Sequence, residues 1–278
     1  MTEEKILQPI SKSSPEKYSE GTAREEGALK PTTRRSFLTG AASAVAAATV
    51  ASTTGAVASA LEVQPSSKSM GRTTVPQGYG MPSKYESHVT RNRTDVYVNK
   101  QNYSDWSMTP IQHQKGIITP NGLIFERHHA GIPDIDPDTH ELVIHGMVRQ
   151  PMRYTMDNLM RYPSVSKFHF MECSGNGLTD WLAVKSKTVQ QTHGLLSCSQ
   201  FTGVPVSWLL DEVGLESGAK WLLFEGGDGS AHARSIPLDQ ALDDVMLVFA
   251  SGGEMLRPEN GYPLRAFIPG WEGNTSVK

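Results

Sequence analysis

A strand-like run with two aromatics, Phe168-His169-Phe170-Met171-Glu172, ends on Cys173 and passes directly into Ser174-Gly175-Asn176-Gly177. Glycines permit positive φ and close backbone approach, so this junction puts the thiol at the mouth of a site and not inside a strand. The only other cysteine is Cys198, which leaves a Cys173–Cys198 bridge open but rules out a cage of several thiolates. A metal at Cys173 would therefore draw its other ligands from a cofactor. Cys198, set among serines, reads as an ordinary packed or half-exposed thiol.

A formal net charge of −3 and 38% hydrophobic residues over 278 positions fit one or two globular domains and argue against nucleic acid as a partner. Residues 1–60 read as a twin-arginine export signal behind a disordered leader. Thr33-Arg34-Arg35-Ser36-Phe37-Leu38-Thr39 precedes an uncharged, alanine-rich run over Gly40–Val57, and Ala58-Ser59-Ala60 supplies small residues for cleavage. That run is too short and too weakly apolar to predict a stable membrane span after processing. The twin-arginine machinery carries folded proteins, so a cofactor enzyme of the periplasm is expected. Residues 61–110 read as an N-terminal arm and 111–278 as the functional domain. The sequon Asn92-Arg93-Thr94 carries no weight behind a bacterial type of signal.

Within that domain a Pro-Asn-Gly turn at 120–122 leads to Phe125-Glu126-Arg127-His128-His129, and the three cationic or imidazole groups cannot share one strand face. Asp134–Asp138 lacks the glycine and terminal glutamate of a calcium loop and reads as a polar turn. Leu142–Gly146 predicts a strand, and Thr155–Tyr162 a helix capped by Thr155. The segment Thr188–Ser199 is too polar for a core helix and too poor in alternation for a strand. Val206, Leu209, Leu210 and Val213 recur at helical spacing between Pro205 and Gly214, predicting a core helix. Trp221–Glu225 reads as a buried strand breaking at Gly226-Gly227-Asp228-Gly229, Ser235–Leu242 as a short helix, and Val245–Ala250 as another strand. Arg265 and Lys278 around a glycine-rich turn are the parts needed to grip a phosphate.

Four of these segments in order, 125–129, 173–177, 226–229 and 260–278, resemble the sulfite oxidase family of molybdenum enzymes, and most closely its SoxC-type sulfane or sulfite dehydrogenase subunits. The most specific matches are Glu172–Asn176, Phe224–Asp228, Pro263-Leu264-Arg265, Pro269–Gly273 and Ser276-Val277-Lys278. The resemblance implies an α+β molybdopterin-binding domain of mixed sheets and short helices. In the family an immunoglobulin-like dimerisation domain follows, which these residues are expected to lack. Cys173 would be the thiolate ligand of molybdenum and Arg127 a residue of the anion pocket. Phe125, Glu126, Arg127, His128, His129, Asp228, Asn260, Arg265, Ser276, Val277 and Lys278 would contact the pterin.

The implied chemistry is oxidation of sulfite or of sulfane sulfur on a carrier protein. Electrons would pass to a c-type cytochrome, since no Cys-x-x-Cys-His run supplies a haem. Sulfite oxidases proper carry an arginine soon after the asparagine of the cysteine loop, where this chain has Gly177-Leu178. Fewer fixed charges there favour the carrier-bound substrate. A non-catalytic pterin-binding fragment and a reductase of the same broad family are the alternatives.

Overall fold

The uninterrupted apolar run Met246-Leu247-Val248-Phe249 lies at the centre of the fold because it is covered on both sides. A strand sends alternate side chains to opposite faces; here Met246 and Val248 enter one buried cluster, and Leu247 and Phe249 the other. The computed structural model describes residue 70 and residues 78–93, 103–181 and 188–278; the export signal lies outside these residues. Val75–Lys278 is one compact unit, distinct from Met1–Thr74. Among the described residues no helix is long and apolar enough to cross a membrane.

In chain order the elements are β1 (Trp106–Ser107), β2 (Glu126–Arg127), β3 (Glu141–Ile144), β4 (Met152–Thr155), α1 (Met156–Leu159), β5 (Val165–Glu172), α2 (Leu178–Trp181), β6 (Leu196–Pro205), α3 (Val206–Val213), β7 (Trp221–Glu225), β8 (Ala233–Pro237), α4 (Leu238–Asp243), β9 (Met246–Ser251), β10 (Glu254–Met255) and β11 (Arg265–Phe267). β6 pairs antiparallel with β5 on one side and β9 on the other. β10 and β11 both pair with β9, completing a five-stranded sheet. Three two-stranded units surround it: β1–β2, β3–β4 and β7–β8. This is the expected α+β build, rich in sheet and with short helices.

Helix α3 forms where its apolar spacing predicts, with Val206, Leu209, Leu210 and Val213 all buried against the first cluster. Gly214, at φ +67°, ends it. Thr155 caps α1 through a reciprocal pair of bonds with Asn158, at 3.2 and 3.1 Å. That helix is shorter than predicted, because Arg161 and Tyr162 bond three residues back and tighten into a turn.

Three expectations need correction, and one open question is answered. Thr188–Ser199 contains the first part of β6, a central strand whose polarity is matched internally. Ser197 Oγ lies 2.7 Å from Thr109 Oγ1 and accepts from Phe125 N at 3.1 Å, and Ser251 Oγ donates to Ser199 Oγ at 2.9 Å. β7 is a strand but not a buried one, since Trp221 and Leu223 are each 63% exposed. Ser235–Pro237 extends β8 opposite β7, so the helix begins only at Leu238. The open disulfide does not form. Both cysteines are free, and the register sets Cys198 opposite Phe170, three residues from Cys173. That offset is about 10 Å of strand, beyond a bridge's reach.

Candidate active site

Strand β5 delivers Cys173 to the end of the sheet, and the turn that follows is pinned from the neighbouring strand. Cys173 N donates to Leu195 O at 2.9 Å, while Asn176 Oδ1 accepts from Gly194 N and Leu195 N, each at 3.0 Å. Gly175 N points at Cys173 Sγ from 3.4 Å. The sulfur opens into a cleft of about 290 Å³ whose wall includes Phe125, Glu126, Arg127, His129, Asp228, Asn260, Arg265, Ser276, Val277 and Lys278. Every residue singled out from the sequence lies in that wall except His128.

His128 is buried, at 3% exposure, and stands behind the wall. Its Nδ1 accepts from Lys278 Nζ at 2.9 Å, so Nε2 carries the proton and donates to Glu126 Oε2, also at 2.9 Å. Glu126 further accepts from Ser107 Oγ at 2.6 Å and faces Arg91 at 3.8 Å. Burial alone would raise this carboxyl, but the bonds from His128 and Ser107 and the charge of Arg91 outweigh it and hold it at about 2.

Cationic groups converge on the sulfur. Arg265 donates to Ser276 O from Nε and Nη2, at 3.1 and 2.9 Å, and from Nη1 to Asn260 O at 3.0 Å. Burial pushes its guanidinium down to about 10, and Arg127 shifts down for the same reason; in both the sulfur of Cys173 opposes the shift. Lys278 is held by His128 and by Glu259 O at 3.0 Å. Burial, reinforced by Arg265, drives its ammonium down to about 7 against the pull of Asp228, Glu126 and Glu259. His129 is lowered by burial and by Arg127 and stacks on His232, with centroids 5.4 Å apart and planes 18° from parallel.

Two glycines let residues 276–278 tuck into the wall. Gly261 has φ +105°, and a Cβ there would sit 2.7 Å from Lys278 Cβ. A Cβ on Gly226 would run into Lys278 O, so this glycine admits the chain's own backbone.

A metal-bearing, anionic ring cofactor fits this set. Among the described residues no group of three His, Cys, Asp or Glu side chains could hold a metal by itself, so a metal at Cys173 would bring its other ligands with it. Asn260 is 3% exposed and donates to Phe125 O at 3.1 Å, yet its Oδ1 has no partner. A buried acceptor on a cleft wall calls for a donor on the ligand. The suppressed ammonium of Lys278 calls for an anion. A larger cleft of about 640 Å³ is lined by β3, β7 and side chains of α3, without Cys173 or the arginines, so its size does not make it the site of chemistry.

Residues 129–278 match the family described as oxidoreductase molybdopterin binding domain. The chain belongs to that family. The molybdopterin-binding domain is 34% identical over 180 residues to a nitrate reductase [NADH] of Ulva prolifera, covering 59% of this chain and 21% of that protein. It is 30% identical over 192 residues to mitochondrial sulfite oxidase of Rattus norvegicus, covering 65% of this chain and 35% of that one. The crystal structure of the sulfane dehydrogenase SoxCD from Paracoccus pantotrophus superposes with a TM-score of 0.74 at 40% identity, over 78% of this chain and 56% of that chain. The chain thus carries a molybdopterin-binding domain of the sulfite oxidase type, like SoxC, with a molybdenum-pyranopterin cofactor. It spans about a fifth to a third of the length of these curated relatives.

Sequence reasoning passed over part of the wall, notably His232 and Arg234. Arg234 reaches it through the pairing of β8 with β7, and His232, whose carbonyl accepts from Gly226 N at 3.0 Å, just before that strand; no local spacing announces either.

Proposed function

We propose that this chain oxidises reduced sulfur, as sulfite or as sulfane sulfur on a carrier protein, and passes the electrons to a c-type cytochrome in the periplasm after twin-arginine export. One observation carries the reading: Cys173 shares a cleft with Arg127, Arg265 and Lys278 in a chain 40% identical to a sulfane dehydrogenase. When bound, the molybdenum-pyranopterin supplies the two-electron redox chemistry and oxygen transfer to sulfur. The residues of the chain do the rest. Cys173 anchors the metal, and Lys278 and Arg265 offset the anionic tail of the cofactor. Asn260 Oδ1, buried without a partner, would accept from a donor on the cofactor. Arg127, fixed by bonds to Ser104 Oγ at 3.1 Å and to His128 O, faces the sulfur and draws an anionic substrate toward it.

The test is sulfite- or thiosulfate-dependent reduction of cytochrome c by protein loaded with stoichiometric molybdenum. Turnover supports the reading. Loaded protein that reduces no cytochrome overturns it and leaves a non-catalytic pterin-binding domain. The identity with nitrate reductases favours a second reading, a reductase, for which nitrate consumption with a reduced viologen donor is the matching assay.

A further inference from the structure

The cysteine loop carries Gly177-Leu178 and no arginine, yet the cleft is not short of cations, because one enters from a different strand. Arg234 of β8 lines the cleft together with Cys173, Ser174 and Asn274. Its Nε donates to Asn274 Oδ1 at 3.2 Å and its Nη1 to Ala233 O at 2.9 Å. Asn274 is itself fixed: its Nδ2 donates to Ser174 Oγ at 2.7 Å and to Glu272 Oε2 at 2.9 Å, and its carbonyl accepts from His232 Nε2 at 2.9 Å. The guanidinium is thus tied through one amide to the residue next to Cys173. Among the described residues the salt bridges engage Arg91, Arg93, Arg153 and Arg257 but not Arg234, and nothing accepts from its Nη2. A charged fork held on one edge, with its other edge free toward a cleft, suits an oxyanion. Arg265, by contrast, spends all three of its nitrogens on backbone carbonyls.

We propose that Arg234 is a specificity-determining residue, its guanidinium, oriented by Asn274, holding the oxyanionic end of a sulfur substrate at the mouth of the Cys173 cleft. The choice of substrate rests on the sulfur-oxidation reading; the anion site does not. Its exposure leaves room for a substrate carried on another protein's thiol. One charge-assisted contact of this kind corresponds to about a tenfold change in affinity.

Two measurements on the molybdenum-loaded full chain test this. The first is sulfate binding by calorimetry to wild type, Arg234→Ala and Arg234→Lys. A dissociation constant raised about tenfold by Arg234→Ala and partly recovered by Arg234→Lys, at equal molybdenum and pterin content, supports the site. Sulfate binding that is absent in wild type, or equal in wild type and Arg234→Ala, overturns it. The second is steady-state oxidation of sulfite, where the expected result is a KM raised about tenfold with kcat held within threefold. A kcat that falls while KM and sulfate affinity stay fixed overturns it. Sulfate affinity that depends on Arg234 in a protein that oxidises neither sulfite nor thiosulfate upholds the anion site while removing the sulfur-oxidation reading.

Discussion

Glu126 and Lys278 sit two bonds apart across His128, and burial presses on both; only the carboxylate finds enough partners to stay charged with ease. Its folded value of about 2 lies below the 4.5 of a free glutamate. A depressed carboxyl stabilises the fold fully above pH 4.5 and loses that contribution as pH falls toward 2. A depression of this size corresponds to about 3 kcal/mol, of which about 2 kcal/mol should disappear between pH 5 and pH 3. Glu126→Gln is therefore expected to flatten the acid limb, seen as a smaller loss of unfolding free energy over that interval than in wild type. Lys278 runs the other way. At about 7 its ammonium is disfavoured in the fold, and an anion beside it restores the charge. A phosphate monoester is already dianionic above pH 7, its second pKa being about 6. Retention of the pterin phosphate should therefore weaken as pH rises past 7, by up to about tenfold per unit. Cofactor dissociation measured from pH 6 to pH 9 should show that slope in wild type and lose it in Lys278→Met. Cys173→Ser separates the two ends of the cofactor. It should abolish turnover but keep most of the pterin, because the gripping cations lie on other segments; wild-type rates in that variant would refute Cys173 as the metal's ligand.

At the level of elements, what could be read in advance was whatever announces itself by local periodicity or by a punctuating residue. Val206–Val213 did so through its 3.6-residue apolar spacing, and Val245–Ala250 as an unbroken apolar run buried on both faces. The Cys173 turn did so because a strand ended in glycines. The first half of β6 gave no such sign, because Ser197 and Ser199 are buried as hydroxyl pairs with Thr109 and Ser251, partners far away in sequence. β7 misled in the opposite direction: Trp221 and Leu223 are apolar and still face outward. The site followed the same rule. Cys173, Arg265 and Lys278 stood out by residue type beside glycines, whereas Arg234 belongs to a hairpin strand with no distinctive pattern and His232 immediately precedes it. Gly226, where the strand breaks, is approached closely by the backbone of Lys278. Gly226→Ala is accordingly expected to push residues 277–278 out of the wall and cost about 1–3 kcal/mol. Its pterin content after purification should fall well below that of wild type, with the far-ultraviolet circular dichroism spectrum unchanged.

For the molecule as a whole, the cleft is an assembly of segments that meet only on folding, and one residue well upstream of the matched family region helps close it. Arg91 donates from Nη2 to Glu259 Oε1 at 2.9 Å and from Nη1 to Ile124 O at 3.2 Å, and Nη1 also faces Glu126 Oε2 at 3.8 Å. It therefore joins the segment before β2 to the turn that presents Asn260 and supports Lys278. The side chains of this trio are only 14–21% exposed, so removing the guanidinium leaves two carboxylates poorly hydrated and facing each other's surroundings. Breaking a largely buried pair from one side costs about 3–5 kcal/mol, because the charge left behind is not compensated. The pair Arg153–Glu141 is as short, at 3.0 Å, but is 72% and 42% exposed, and a pair of that kind is worth about 0–1 kcal/mol. Burial, not distance, decides between them. Arg91→Ala should therefore lose about 3 kcal/mol in denaturant unfolding and shed pterin, while Arg153→Ala stays within about 1 kcal/mol of wild type and keeps its cofactor. Equal losses in the two variants would mean that the upstream segment only covers the domain and does not hold the cleft shut.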